Sequence, residues 1–159
     1  METWVSFARR FSRLPLPAGL VVERLKAGYY GIHPEIPCAL LEIKVSGEAY
    51  RWARKEAQRM LSRAGDFRYS LWGLWLCRKN IVHNRPFYYF CSQFAGELLS
   101  RSGAVRLPKH PSLMRPVDFD LMPECSCLFR GSLRELVQRK GDRGRPYAGP
   151  GGVAGSHAA

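Results

Sequence analysis

A cysteine opens the run "CSQFAGELLSRSG", Cys91 to Gly103, directly after the aromatic stretch "FYYF". Phe90, Phe94, Ala95, Leu98 and Leu99 recur at helical spacing, and Gly103 suits a left-handed stop, so the segment is expected to be a helix with Cys91 in its first turn. A thiol placed there faces backbone amides that lack an intrahelical partner and the positive end of the helix dipole. Both favour the thiolate, the form that attacks a carbonyl carbon. The plainer reading is that a free cysteine packs as a small hydrophobe, and for Cys38 and Cys77 that is the expectation. A nucleophile also needs a base, and the sequence holds four histidines. His83 lies eight residues before Cys91 with Pro86 between them to turn the chain, so the two can meet. His33, in "YGIHPEIP", and His110, in "PKHPS", precede prolines and are expected in exposed loops, and His157 falls in a Gly-rich tail.

Other chemistries fit less well. Cys91, His110, Cys125 and Cys127 supply enough soft atoms for a metal, but Cys-x-Cys is too tight for a zinc knuckle and no second pair occurs, so no metal or cofactor is expected. Lys and Arg number 25 against 13 Asp and Glu, a net charge of +12, which suits acidic partners. An anionic membrane or cell-wall polymer is therefore a candidate contact. Nucleic acid is the alternative, resting on charge and on Trp52, Tyr69 and Trp72, but without a recognised motif no specific nucleic-acid partner is expected. Five irregularly spaced cysteines argue against a secreted disulfide framework. Neither a signal peptide nor an apolar run of spanning length is evident; "YSLWGLWLC", Tyr69 to Cys77, is far too short, and a cytoplasmic setting is the default expectation.

The elements that must position Cys91 follow from periodicity. "TWVSFAR" and "LVVERL" read as strands on either side of a connection holding Pro15 and Pro17. "CALLEIKV" alternates, with Leu41, Ile43 and Val45 on one face and Glu42 and Lys44 on the other. Ser46 caps a helix running towards Gly65, whose buried stripe is expected to hold Ala49, Trp52, Ala53, Ala57, Met60 and Leu61. Its polar face carries Arg51, Arg54, Lys55, Glu56, Gln58 and Arg59. "DFRYSLWGLWLCRKN" is expected to tuck under the domain as helix or loop. The proline-rich stretch to Pro123 allows only a short turn of helix around Asp118. "CLFRG" reads as a strand, and Ser132 with Glu135 forms a capping box for a last helix of about two turns. The domain is placed at residues 1–137, followed by a basic, Gly-rich tail, 138–159, expected to be disordered.

"FCSQFAGELLSRSG", then "PSLMRPVDFDLMP", then "LFRGSL" resemble the end of the circularly permuted NlpC-type papain-like cysteine peptidases and amidases. "VSFARR", "AGLVVE" and the strand-helix unit 38–64 fit that family's middle portion in order, so the resemblance covers about residues 4–137. It implies an α+β, papain-like fold in which a small antiparallel sheet packs against the nucleophile-bearing helix and a second amphipathic helix. It implies Cys91 as nucleophile in a thiol-dependent hydrolase or acyltransferase acting on an amide or ester, of the cell-wall peptide or acyl-lipid class. Glu23 matches an acidic position of the family and is a candidate to orient an imidazole or line the cleft. In the permuted order the catalytic histidine precedes the segment matched by "VSFARR", and no histidine of this sequence lies there. The expectations are therefore an N-terminally incomplete domain, with His83 as the substitute base, or a catalytically dead, ligand-binding remnant of the fold.

Overall fold

The computed structural model describes residues 3–8, 19–24 and 26–142. The Pro15 and Pro17 connection, His157 and the tail from residue 143 lie outside them. Strands β1 (Thr3–Ala8) and β2 (Gly19–Arg24) pair antiparallel, with Thr3 opposite Arg24 and Ala8 opposite Gly19. A short helix α1 (Gly28–Ile32) leads to β3 (Pro37–Ile43), which pairs antiparallel with the late strand β6 (Cys125–Ser132). Between them run α2 (Gly47–Ser62), α3 (Leu71–Arg78), α4 (Cys91–Arg101) and α5 (Pro116–Asp120), and α6 (Leu133–Asp142) follows. Two-residue strands β4 (Arg68–Tyr69) and β5 (Tyr88–Tyr89) pair in parallel. The fold class is α+β, built on small antiparallel strand pairs.

Local chemistry accounts for the boundaries. Ser46 Oγ accepts the Ala49 N–H at 3.1 Å, as its place at the head of α2 requires. Ser132 Oγ accepts the Glu135 N–H while Glu135 accepts the Ser132 N–H at 2.7 Å, so the capping box forms. The helix it starts runs to Asp142, beyond the boundary at 137 expected from the sequence, and its buried Leu133 and Leu136 pack with Val137 against Tyr30, Cys38, Leu40 and Phe129. Gly103 takes φ +68°, the left-handed conformation that stops α4.

Among the described residues, three clusters hold the domain together. Leu20 of β2, Met60 of α2, Phe67 and Phe94 of α4 form the first, so the β1–β2 pair packs on both the cysteine-bearing helix and the second amphipathic one. Met114, Phe119 and Met122 form another against Leu41 and Cys125, and Leu133 with Leu136 forms the third against Cys38 and Leu40. Adjacent residues of a strand point to opposite faces, so Leu40 and Leu41 serve different cores. The single-face reading of this strand holds only from Leu41 onward. β6 accommodates the change with an extra residue: Leu40 is opposite Phe129 and Leu41 opposite Cys127, leaving Leu128 out of register.

Two expectations are corrected. On α2 the buried positions are Ala49 and Met60, whereas Trp52 is only half-buried, its ring 5.5 Å from the Arg101 guanidinium. Glu56, assigned to the wet face, is mostly covered, because Arg59 and Arg101 close over it. The second concerns "SLWGLWLC". Gly73, Leu76 and Cys77 are buried, but Trp72 is 60% and Trp75 47% exposed, so the helix rides on the surface with its aromatics outward.

Candidate functional site

The approach to Cys91 is set by a tight turn. Arg85 to Tyr88 closes through the Tyr88 N–H and the Arg85 carbonyl at 3.1 Å, with Pro86 second and Phe87 third. Phe87 has φ +66°, a value that a turn of this kind demands and that glycine usually supplies. Holding a bulky residue there costs about 1–2 kcal/mol. The offset is visible: the Phe87 ring lies 5.6 Å from Phe67, and its carbonyl accepts the Arg68 N–H at 2.9 Å, which starts the β4–β5 pairing. The Ser70 N–H continues that pairing to the Tyr89 carbonyl at 2.8 Å. Buried Phe90, in extended conformation, then delivers the chain to α4 with Cys91 as its first residue.

Within that first turn the side chains divide. Ser92, Gln93 and Phe94 are buried, and Cys91 is exposed. Phe90 gives no side-chain cap, and no acidic residue occupies the first turn, so neither competes for the terminal amides or neutralises the dipole. No Asp or Glu occurs between Asp66 and Glu97. A cleft of about 470 Å³ opens beside the helix start, lined by Leu74, Cys77 and Arg78 of α3, by Phe90 and Ser92, and by Met114, Arg115 and Pro116. Ser92 contributes to its wall and Cys91 does not, so the cleft adjoins the cysteine's turn without including the thiol.

The back of α4 is held by the proline-rich segment. A Cβ built on Gly96 would sit 3.3 Å from Met114 Cγ and 3.5 Å from the Pro111 backbone, so the helix and the one-turn segment Pro111–Leu113 meet across a residue without a side chain. Ser112, 2% exposed, is the knot: its Oγ accepts the His83 backbone N–H at 3.3 Å and lies 2.8 Å from His110 Nδ1, which also accepts the Ser112 N–H. Buried Asp118 closes the segment, accepting Lys109 Nζ at 2.6 Å and the Arg115 N–H at 2.8 Å. Burial pushes the Asp118 carboxyl up, but these two hydrogen bonds and the charges of Lys109 and Arg115 outweigh it and hold it below the usual aspartate range. Arg115 Nη2 reaches the Cys77 carbonyl at 3.2 Å and so ties α5 to α3.

Glu23 is 3% exposed and partnered, not the wet edge-strand glutamate that is commonest in such a place. His83 is half-buried, and its placement is fixed through its backbone by Ser112. Among the described residues no hydrogen bond joins Cys91 to His83, His33 or His110. The His33 ring lies 4.5 Å from that of Tyr29 in a tilted contact, and His110, exposed, caps Pro111–Leu113 through its ring nitrogen, a structural role that the sequence reading missed. Cys91, His110, Cys125 and Cys127 are not brought together, and no group of three or more His, Cys, Asp or Glu among the described residues is placed to hold a metal. Burial pushes the Cys38 thiol up, with Glu135 adding to it, and burial followed by Asp120 and Cys127 does the same to Cys125. No helix among the described residues is long and apolar enough to cross a membrane.

No family model, no curated protein and no solved structure matches the chain.

Proposed function

We propose that this chain is a permuted NlpC-type papain-like domain in which Cys91 attacks an amide or ester carbonyl. The observation that carries the reading is the exposed thiol on the first residue of an eleven-residue helix whose terminal amides meet neither a side-chain cap nor an acid. The order of parts supports it: a strand pair carrying buried Glu23, a second amphipathic helix, the cysteine helix, and a proline-rich segment ending in Asp118. In the proposed reaction the thiolate adds to the carbonyl carbon, backbone amides at the helix start stabilise the oxyanion, and the amine or alcohol leaves with the proton taken from the thiol. Water, or a second acceptor in an acyltransferase, then cleaves the thioester and restores the thiol. His83 is the base assigned within this sequence, and Glu23 the group that orients an imidazole or lines the cleft. The substrate class is a cell-wall peptide or an acyl lipid.

A second reading is favoured by one observation, the absence of an imidazole hydrogen-bonded to Cys91 among the described residues. In it the same fold holds peptide or acyl ligands without turning them over. The test is an activated acyl ester with mass mapping of the adduct. A burst of leaving group, an acyl group on Cys91 and steady turnover support the enzyme. An acyl group that forms on Cys91 and stays supports the remnant. No acylation at Cys91, or acylation unchanged in Cys91→Ala, overturns both. His83→Ala with intact folding then assigns the base: abolished turnover confirms His83, and unchanged turnover passes the role to His33 or His110.

A further inference from the structure

Helix α3 presents one face to solvent, and of that face only Arg78 also lines the cleft beside the start of α4. Leu71, Trp72, Trp75, Arg78 and Lys79 are exposed at helical spacing, while Gly73, Leu76 and Cys77 between them are buried. Trp72 and Trp75 stack on each other with centroids 4.9 Å apart and planes at 18°, and Lys79 Nζ lies 5.9 Å from the Trp75 ring. The helix ends in a left-handed Asn80, φ +58°, with the Ile81 N–H returned to the Leu76 carbonyl at 3.0 Å. That cap leaves Ile81 and Val82 exposed, at 49% and 55%, directly after the aromatic face. From Phe67 to Gly96 the chain carries Arg68, Arg78, Lys79 and Arg85 and no acid.

We propose that this face is a membrane-docking surface for anionic lipid. The partner must offer negative charge to Arg78 and Lys79 and hydrocarbon to Leu71, Ile81 and Val82. Tryptophan adds amphipathic rings that settle at the level of the headgroups. A bilayer with acidic phospholipid provides all three in one surface. Single-stranded nucleic acid matches the charge, but the two indoles already cover one another's inner faces, and the aliphatic side chains have no role against bases. Acidic protein matches the charge and leaves the indole-aliphatic combination without a specific use. The inference is independent of the thiol reading, and its test does not involve Cys91.

The experiment is co-sedimentation and tryptophan emission with vesicles of phosphatidylcholine alone and of phosphatidylcholine with about one third phosphatidylserine. The protein is expected to sediment with the anionic vesicles, with emission shifted to the blue, and to bind them less as salt rises. Each cation at such a surface contributes about fivefold in partitioning, so Arg78→Gln with Lys79→Gln should weaken binding by about tenfold or more. Trp72→Ser with Trp75→Ser should remove the blue shift and weaken binding to both vesicle types on the order of tenfold. All four side chains are exposed, so both double variants should keep the parent's circular dichroism and urea midpoint. Should either fail to fold, the other and the salt series still decide. No vesicle binding, equal binding to neutral and anionic vesicles, or binding unchanged in both double variants overturns the proposal. So does an oligonucleotide complex, or a concentration-dependent dimer, that forms without vesicle binding and is lost in the tryptophan variant.

Discussion

Removing Asp118 should loosen the segment that backs the cysteine helix, and the structure fixes the size of the effect. Asp118 is 7% exposed, and its carboxylate accepts two hydrogen bonds, from Lys109 Nζ and from the Arg115 N–H. The second works as a helix cap, worth about 1 kcal/mol, and its loss orphans a first-turn amide. The ion pair is partly wet on the lysine side, at 42% exposure, so it adds about 1 kcal/mol instead of the larger value of a fully buried pair. Asp118→Ala should therefore cost about 2–3 kcal/mol, a substantial share of a stability of about 5–15 kcal/mol. Asp118→Asn keeps an acceptor for Arg115 and should cost about 1 kcal/mol. The pH dependence has a definite sign. The folded carboxyl lies below its unfolded value, so its contribution is complete above the unfolded value and is lost as pH falls through the folded one. Urea titrations at neutral and acidic pH, with unchanged m-values, provide the measurement. Asp118→Asn should lose less stability on acidification than the parent. Equal costs for Ala and Asn, or an identical acid slope in parent and Asn variant, would refute the reasoning.

Further outcomes follow from the same geometry. Trp52→Ala should cost about 1–2 kcal/mol, because the ring is only half-buried, and Arg54→Ala should stay within about 0.5 kcal/mol; equal midpoints in urea would mean that α2 is wrongly phased. Gly96→Val should cost about 1–3 kcal/mol by pressing on Met114 and the Pro111 backbone, whereas Gly96→Ala should be near neutral as helix propensity offsets a contact at 3.3 Å; thermal or urea midpoints distinguish them. At pH about 8, Cys38 and Cys125 should alkylate more slowly than exposed Cys127, since burial raises both thiols; peptide-level mass spectrometry of a time course would show the reverse order if the packing were wrong.

What the sequence could reveal depended on how local the cause was. Ser46, Gly103 and the Ser132–Glu135 box act within a turn of their own position, so those helix ends were readable and are found in place. The β3–β6 pairing joins residues about ninety positions apart, and the bulge at Leu128 that lets Leu40 and Leu41 face different cores leaves no local signature. Trp52 shows the limit of periodicity. It lies on the apolar stripe, yet burial requires a neighbour, and what comes against it is the Arg101 side chain of α4. The exposure of Trp72 and Trp75 was legible in principle. Once α3 is accepted as a helix, positions 71, 72, 75, 78 and 79 share a face that includes two cations, which marks it as outward. For the site, the helical setting of Cys91 followed from spacing, whereas the burial of Glu23 and the Ser112 knot depend on tertiary contacts.

The proposed function rests on the position of Cys91 at the start of α4, and the reference for its reactivity is the same thiol in the unfolded chain, since the other exposed cysteine, Cys127, lies beside the Arg130 guanidinium. The direct measurement is the rate of iodoacetamide alkylation at Cys91 at neutral pH, read on its peptide by mass spectrometry, for the folded protein and for the protein in urea. Cys91 should react about tenfold or more faster in the folded protein than in the urea-unfolded chain. A Cys91 rate in the folded protein equal to or below that of the unfolded chain would contradict it.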